Sequence, residues 1–283
     1  MHILVTGSSG FIGSHLCRSL QESGNEVLAW DRVSPTGQPD PGRDLHMLDS
    51  WGRAHLLDAV EMAGQVYHLA GNADVGAYGR DSELMGQEWA AASTLLAACK
   101  MFNKPLVVAS SAYARGCNTR YGRTKQGIET MCDLAGIDGS PVSVARIYNI
   151  YGPGQEKAIT YRSTVVLNLY RAFKEGRWKI KTPNAKRDFV YVDDAIAGLL
   201  EVMKKTTSGE SGKHEIASGQ LTSIYGLGQT MAELMGHSSG LDISDAELAQ
   251  LPPYYLAGQP VVLPTISLRE GLRRTIAHLE ETA

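Results

Sequence analysis

Three side chains able to move a proton stand close together near the middle of the chain. Tyr121 and Lys125 are four residues apart, so on a helix the phenol and the ammonium share one face. A phenol with a pKa of about 10 is a poor base at neutral pH, and an ammonium about 4 Å away supplies roughly the 4 kcal/mol that ionising it requires. Ser111 ends an apolar run, where its hydroxyl can bind the same substrate hydroxyl. We therefore predict Ser111, Tyr121 and Lys125 as catalytic residues, although a surface lysine beside a half-buried tyrosine gives the same spacing.

A glycine-rich turn near the start of the chain is typical of a dinucleotide site. The loop follows a strand-like run and opens a helix-like one, and its candidate cofactor-binding residues are Gly7, Gly10, Phe11, Ile12 and Gly13. Glycines permit a tight turn and close approach of the backbone to a pyrophosphate, while the helix N-terminus offers N–H donors. The competing interpretation is a glycine turn without a ligand.

Acidic residues at strand ends indicate which dinucleotide binds. Asp31 ends the second strand candidate, where its carboxylate can accept hydrogen bonds from the adenosine ribose and repel a 2′-phosphate. This favours NAD over NADP, while Arg32 beside it could still receive a phosphate. Asp49 closes the third candidate and is predicted to lie near the adenine; the alternative is an acidic strand end without a ligand.

The order of elements predicts the fold that positions these groups. Short apolar runs alternate with helical patterns, which is typical of a parallel sheet covered by helices. The strand candidates are Ile3–Thr6, Glu26–Asp31, Leu45–Asp49, Gln65–Ala70, Pro105–Ser111 and Val142–Ile147, and the first helix candidates are Phe11–Ser23, Trp51–Ala63, Glu83–Phe102 and Tyr121–Ala135. Gly24 and Gly136 are predicted to stop the first and the last of these helices, and Ser267-Leu-Arg-Glu270 predicts a capping box at the start of a C-terminal helix. We predict an α/β, Rossmann-type, doubly wound fold with a smaller, interleaved C-terminal substrate domain. The dinucleotide domain is expected at 1–152 with parts of 187–220, and the substrate region at 153–186 and 221–283.

Composition excludes several other classes of protein. The 283 residues are 43% hydrophobic and 20% charged, as in ordinary globular enzymes, and the net charge of −3 predicts no binding to nucleic acid or membrane. Four scattered cysteines give neither a zinc pattern nor a redox pair, so no metal is expected. The chain opens on a strand-like run, which favours a cytoplasmic protein.

Several ordered motifs resemble the extended short-chain dehydrogenase/reductases, specifically the nucleotide-sugar epimerase/dehydratase group. The motifs are Thr6 to Gly13, His68-Leu69-Ala70-Gly71, Ser110-Ser111, Tyr121 with Lys125, Asn149 to Pro153, and Arg187 to Asp194. The resemblance implies that Tyr121 is the general base, that Lys125 activates it and binds the cofactor ribose, and that Leu69, Ala70 and Gly71 contact NAD. It also implies that Asn149 and Arg187, with Ser111, bind the nucleotide-sugar substrate; for Arg187 an ion pair with a neighbouring carboxylate is the alternative.

The residues after Ser111 bear on the reaction. Dehydratases of the resembled family carry an Asp-Glu pair there, whereas this chain has Ala112 and Tyr113. A 4-epimerase needs no extra acid, so we predict C4 epimerisation of a nucleotide sugar through a transient 4-keto intermediate. The alternatives are an NAD(P)H-dependent ketosugar reductase, a decarboxylase of a uronic acid, and a non-catalytic dinucleotide-binding module.

Two further features concern residues that differ from the resembled family and the assembly of two copies of the chain. Glu88 stands where relatives usually have Asn, and the loop between Ser111 and Tyr121 is short, which leaves the sugar open. The helix candidate Glu83–Phe102 is apolar on more than one side, which indicates a second buried surface. Because that helix and the one bearing Tyr121 form a dimeric bundle in the family, we predict a homodimer; packing within the monomer is the alternative.

Overall fold

A parallel sheet forms the centre of the computed structural model, which describes residues 1–34, 38–40, 43–45, 50–116, 118–157, 164–180, 182–237, 241–243 and 257–282. Its strands are β1 (His2–Thr6), β2 (Glu26–Trp30), β3 (Gln65–His68), β4 (Leu106–Ser111), β5 (Val142–Ile147) and β9 (Lys213–Ile216). They lie in the order β2-β1-β3-β4-β5-β9, and every pair is parallel. Since β2 and β3 lie on opposite sides of β1, the chain changes direction beside β1, which is where doubly wound sheets bind ligands. The predicted Rossmann-type fold is confirmed.

Alternation of side chains along the strands places a hydrophobic core on each face of the sheet. In β1, Ile3 and Val5 belong to one cluster and Leu4 to the other. The same alternation separates Val107 from Val108 in β4. Both faces of a parallel sheet must be covered, and these continuous apolar strands therefore require helices on each side.

Helices cover both faces and connect the strands. They are α1 (Phe11–Glu22), α2 (Ser50–Met62), α3 (Ala77–Arg80), α4 (Leu84–Met101), α5 (Arg120–Ile137) and α7 (Val192–Thr207). Helices α1 and α7 supply the first core, with Leu16 and Leu199 fully buried, whereas α4 and α5 supply Leu95 and Ile128 to the second.

Two predicted helix ends had different outcomes. Helix α1 ends just before Gly24, which has a φ of 79°, as predicted. The predicted stop of α5 at Gly136 is wrong, because the helix continues to Ile137 and the left-handed turn falls at Gly139, with a φ of 83°. The predicted strand Leu45–Asp49 lies outside the described residues from 46 onward.

The chain beyond β5 builds a smaller region against the main sheet. Strands β6 (Asn149–Tyr151), β8 (Lys186–Tyr191) and β10 (Leu221–Ser223) form a second sheet, while β7 (Lys179–Ile180) pairs with β11 (Asp242–Ile243). Helices α8 (Ile224–Leu234) and α9 (Leu268–Glu281) pack on these strands, and α6 (Val165–Lys174) packs on α8. Strand β9 returns from this region to the main sheet beside β5, so the two parts of the fold are interleaved.

The start of α9 shows half of the predicted capping box. The Ser267 hydroxyl accepts a hydrogen bond from the Glu270 backbone N–H at 3.3 Å. The Glu270 carboxylate instead accepts hydrogen bonds from the guanidinium groups of Arg273 and Arg274. The helix is therefore capped by the serine, while Glu270 supports its first turn through ion pairs one turn further along.

Candidate functional site

A cleft of about 1090 Å³ lies at the carboxyl ends of the main strands and brings the predicted site residues together. It is lined by Gly7, Gly10, Phe11, Ile12, Gly13, Asp31, Arg32, Leu69, Ala70, Gly71, Ser111, Tyr121, Lys125, Asn149 and Arg187. Asp49, also predicted to contact the cofactor, lies outside the described residues. The cleft therefore runs from the glycine loop after β1, past the ends of β3 and β4, to the second sheet.

The loop after β1 has the shape that close approach of a phosphate requires. Gly7 has a φ of 73°, and a Cβ on it would lie 2.6 Å from the backbone nitrogen of Ala70. Helix α1 begins after Gly10 without a capping side chain and without an acidic residue in its first turn. Its N-terminal N–H groups and the positive end of its dipole thus face the cleft, and they fit the pyrophosphate of a dinucleotide.

Asp31 is held at the other side of this loop. Its carboxylate accepts hydrogen bonds from the backbone N–H groups of Ser9, at 2.9 Å, and Val33, at 3.2 Å. Each of these bonds leaves the oxygen a further lone pair, so the carboxylate can still accept from ribose hydroxyls in the cleft. Arg32 beside it is exposed. The position fits a dinucleotide without a 2′-phosphate.

Helix α5 presents Tyr121 and Lys125 to the cleft. It begins with the Thr119 hydroxyl, which accepts a hydrogen bond from the Gly122 N–H at 3.1 Å, so Tyr121 stands in the first turn. The Lys125 Nζ lies 5.8 Å from the centre of the Tyr121 ring. Ser111 ends β4, and its hydroxyl accepts a hydrogen bond from the Tyr113 backbone N–H at 3.3 Å. All three predicted catalytic side chains are buried and line one cleft.

Two further tyrosine rings fix the orientation of Tyr121. Tyr78 of α3 and Tyr113 of the short helix after β4 (Ala112–Arg115) each pack edge-on against the Tyr121 ring, with ring centres 5.2 Å and 5.4 Å away. Edge-to-face contacts of this kind favour one ring geometry. Tyr113 thus contributes to the site although it cannot serve as the acid that a dehydratase needs.

Glu88 is a site residue to which the sequence assigned no role. From α4 its carboxylate forms a buried ion pair with Lys125, with Oε2 and Nζ 2.8 Å apart. Burial acts to raise the pKa of the Glu88 carboxyl, but the Lys125 ammonium and hydrogen bonds from Lys125, Tyr78 and Asn72 outweigh it and lower that pKa. Burial likewise opposes the charge on Lys125, yet Glu88 holds the pKa of its ammonium above the usual value. Both groups are therefore charged.

The predicted substrate residues lie at the second sheet. Asn149 pairs in register with Phe189, and its side-chain amide donates a hydrogen bond to the Asp188 carbonyl at 3.0 Å. The Arg187 guanidinium donates a hydrogen bond to the Lys186 carbonyl at 2.9 Å. Both side chains line the cleft, opposite the glycine loop. A guanidinium in this position can also bind phosphate oxygens.

Tyr148 is a second residue that the sequence did not identify. Its hydroxyl accepts a hydrogen bond at 2.7 Å from Arg115, whose guanidinium also lies 3.3 Å from the Glu215 carboxylate. Tyr148 lines the cleft next to Asn149 and is almost completely buried. The bond between Arg115 and Tyr148 therefore connects the short helix after β4 to the part of the cleft lined by Asn149.

The described part of the chain offers no metal cluster and no helix that could cross a membrane. There, no group of three or more His, Cys, Asp or Glu side chains could hold a metal ion. None of the helices described is both long and apolar enough to cross a membrane.

Comparison with known proteins gives consistent results. The model of the NAD dependent epimerase/dehydratase family matches residues 3–217. A Bacillus subtilis protein named an uncharacterized UDP-glucose epimerase, YtcB, is 25% identical, with 99% of this chain and 98% of that protein covered. The Thermotoga maritima UDP-glucose 4-epimerase, solved with UDP-glucose, superposes with a TM-score of 0.83 at 22% identity, covering 100% of this chain and 99% of the other. The Thermus thermophilus UDP-glucose 4-epimerase, solved with NAD, gives a TM-score of 0.78 at 23% identity and covers 100% of both chains.

Proposed function

Because this chain belongs to the NAD-dependent epimerase/dehydratase family, whose cofactor is NAD, we propose that it is a nucleotide-sugar 4-epimerase. The observation that supports this most is the cleft itself, in which Ser111, Tyr121 and Lys125 line the same cavity as the glycine loop. Relatives named UDP-glucose epimerases support a uridine diphosphate sugar as the first substrate to test. The proposal takes residues 1–152 with parts of 187–220 as the NAD-binding domain and 153–186 and 221–283 as the smaller substrate region. Ser111, Asn149 and Arg187 extend from the first of these to the sugar nucleotide.

Each catalytic side chain has one task in this proposal. Bound NAD supplies a hydride acceptor that returns the hydride later in the same turnover. Tyr121 takes the proton of the sugar C4 hydroxyl, and Ser111 hydrogen-bonds that hydroxyl and orients it. The Lys125 ammonium holds the nicotinamide ribose and favours the ionised phenol. Once the 4-keto sugar has turned over in the cleft, Tyr121 would return the proton to the C4 oxygen, so no proton is lost over the full turnover.

The residues after Ser111 favour epimerisation over dehydration. Elimination of a sugar hydroxyl needs an acid to protonate the leaving group. Ala112 is apolar, and the Tyr113 ring packs against Tyr121. Neither side chain can act as a strong acid, whereas a 4-epimerase requires none beyond the tyrosine.

The test follows sugar configuration and cofactor together. Purified protein with NAD and UDP-glucose should form UDP-galactose, detected by NMR, without net formation of NADH. Stoichiometric formation of NADH would instead identify the ketosugar reductase, working in the reverse direction. Tyr121→Phe should retain NAD and lose conversion at least about a hundredfold, because general-base catalysis contributes on the order of a hundred- to ten-thousandfold. Tyr225→Phe, outside the cleft lining, is the matched control and should keep full activity.

A homodimer through α4 and α5 is part of the same proposal. Met101 at the end of α4 is 68% exposed, and on the neighbouring α5 Leu134 and Ile137 are 58% and 81% exposed. The two helices pack side by side, so their outward faces form one surface. Large apolar groups gathered on one surface favour burial against a second copy.

A further inference from the structure

The carboxylate of Glu88 joins four separate elements around the catalytic helix. From α4 it accepts hydrogen bonds from Lys125 Nζ on α5 at 2.8 Å, from the Asn72 backbone N–H after β3 at 2.6 Å, and from the Tyr78 hydroxyl on α3. Only 3% of its surface is exposed. A buried carboxylate with three donors is fixed in place, and the lysine ammonium is fixed with it.

This pair changes the electrostatic field at the reacting phenol. A lone ammonium would attract the negative charge of a phenolate, whereas an ammonium 2.8 Å from a carboxylate acts as a dipole whose field falls off much faster. Tyr121 is near enough to both charges to sense the difference, since its ring centre lies 5.8 Å from Nζ and its edge-on neighbour Tyr78 donates to Glu88.

We propose that Glu88 is a positioning residue that offsets the charge of Lys125 and thereby sets how readily the Tyr121 hydroxyl ionises. The proposal rests on the proposed function only in taking Tyr121 as the base.

Other ionisable groups near the pair come from every element packed against α5. Three of these groups face the site, namely Tyr78 of α3, Tyr113 of the short helix after β4 and Asp74 of the loop after β3. Three others lie farther from the Glu88–Lys125 pair, namely Glu129 of α5, Arg146 of β5 and Arg115. Asp74 is paired with Arg80, and Glu129 with Arg146. Their charges are thus balanced locally, and Glu88 is the partner in direct contact with Lys125.

The test is a titration of Tyr121 observed by NMR in protein carrying tyrosine isotope-labelled at Cζ, with NAD present. The signal of Tyr121 is identified by its loss in Tyr121→Phe. In Glu88→Gln, which keeps size and one acceptor but not the charge, the midpoint of ionisation should fall by about one pH unit or more. An unchanged or higher midpoint overturns the proposal. Glu83→Gln is the matched control, since it removes an exposed carboxylate at the start of the same helix and should leave the midpoint of Tyr121 unmoved.

A second variant covers the case in which Glu88→Gln does not fold because it leaves Lys125 buried without a partner. Glu88→Gln combined with Lys125→Met leaves neither buried charge and is expected to fold. In this double variant the ionisation midpoint of Tyr121 should lie within about one pH unit of its value in the unaltered protein. If Glu88→Gln alone folds, the midpoint in the double variant should be the higher of the two. A rise of about two units or more would mean that Lys125 acts without opposition and would overturn the proposal.

The titration also separates this proposal from the proposed function. It reports ionisation of Tyr121 whether or not UDP-glucose is converted. If the protein does not epimerise UDP-glucose but Tyr121 shows the expected midpoints, the proposed function is refuted and the proposed role of Glu88 is supported. A purely structural role for Glu88 would lower the melting temperature in Glu88→Gln and leave the midpoint where it is.

Discussion

The backbone of Gly13 lies against the carbonyl group of Gly7, so close that a Cβ on Gly13 would be 2.0 Å from the Gly7 oxygen. Gly7 is itself pressed against the backbone of Ala70. The first turn of α1 is thus in direct contact with the loops that follow β1 and β3. A side chain at Gly7 or Gly13 would push these elements apart. The distance between loop and helix sets the width of the phosphate site.

Gly13→Ala should therefore damage cofactor binding and stability together. Its new methyl group must push α1 away from the loop, and overpacking of this kind costs about 1 to 3 kcal/mol. We expect the Kd for NAD, measured by calorimetry, to rise at least about tenfold, with an earlier urea midpoint. Gly79→Ala is the control, because a Cβ there meets nothing within 4 Å. Unchanged affinity in Gly13→Ala would contradict the assignment of this loop.

Asp31→Asn should change the choice of dinucleotide. The amide keeps the shape of the carboxylate but removes its negative charge, and hydrogen bonds to a charged group are worth about 1.5 to 3 kcal/mol. NAD affinity should fall about tenfold, while the repulsion of a 2′-phosphate disappears and NADP affinity does not fall. Fluorescence titrations with both cofactors measure the ratio. Adding Arg32→Ala should lower NADP affinity again if Arg32 receives the phosphate, and equal losses for both cofactors in Asp31→Asn would refute the prediction.

Asp188→Asn should loosen the substrate side of the cleft. The buried carboxylate accepts hydrogen bonds from the Ser218 N–H and hydroxyl and from the backbone N–H groups of Gly219 and Gly258. An amide NH₂ would face some of these donors, so we expect a loss of about 2 to 3 kcal/mol in the free energy of unfolding, measured with urea. Asp193→Asn, an exposed carboxylate on α7, should cost little by comparison.

Leu134→Glu should separate the proposed dimer. A carboxylate placed in an apolar contact between two copies would be buried without a partner. The cost of burying that charge should prevent the two copies from associating. Light scattering should give about twice 30.6 kDa for the unaltered protein and one times that mass for the variant. Leu263→Glu places the same charge on a residue that is 77% exposed elsewhere and should not alter the mass. A monomeric unaltered protein at micromolar concentration would rule out the dimer.

Glu270→Gln should destabilise α9 in a pH-dependent way. Hydrogen bonds from Arg273 and then Arg274 lower the pKa of the Glu270 carboxyl from 4.5 to about 2. A carboxyl whose pKa is lowered by folding contributes stability above its unfolded value and loses it as the pH falls through the folded value. The difference in urea midpoint between the two proteins should thus be full above pH 4.5 and vanish near pH 2. Glu281→Gln, at the far end of the same helix and away from these ion pairs, is the control.

Local patterns in the sequence were enough to predict much of this fold. The glycine loop, the alternation of strand and helix, and the Tyr121–Lys125 spacing each depend on residues close in the chain, and all of them appear in the predicted elements. Contacts between distant residues were beyond such reasoning. The Glu88–Lys125 pair joins residues 37 apart through the packing of α4 on α5, and the Arg115–Tyr148 bond joins residues 33 apart. The end of α5 was misplaced because Gly136 and Gly139 offer similar signals, and only Gly139 has a positive φ.

The position of β9 at the edge of the main sheet also determines when that sheet can be completed during synthesis. Strand β5 has one neighbour, β4, until residues 213–216 have left the ribosome, and the intervening chain must first build β6, β7 and β8. Until then the edge of β5 is an unpaired row of backbone donors and acceptors, which is a template for aggregation. We therefore expect fragments that end before residue 213 to aggregate more readily than the full chain, because the edge of β5 stays open in them.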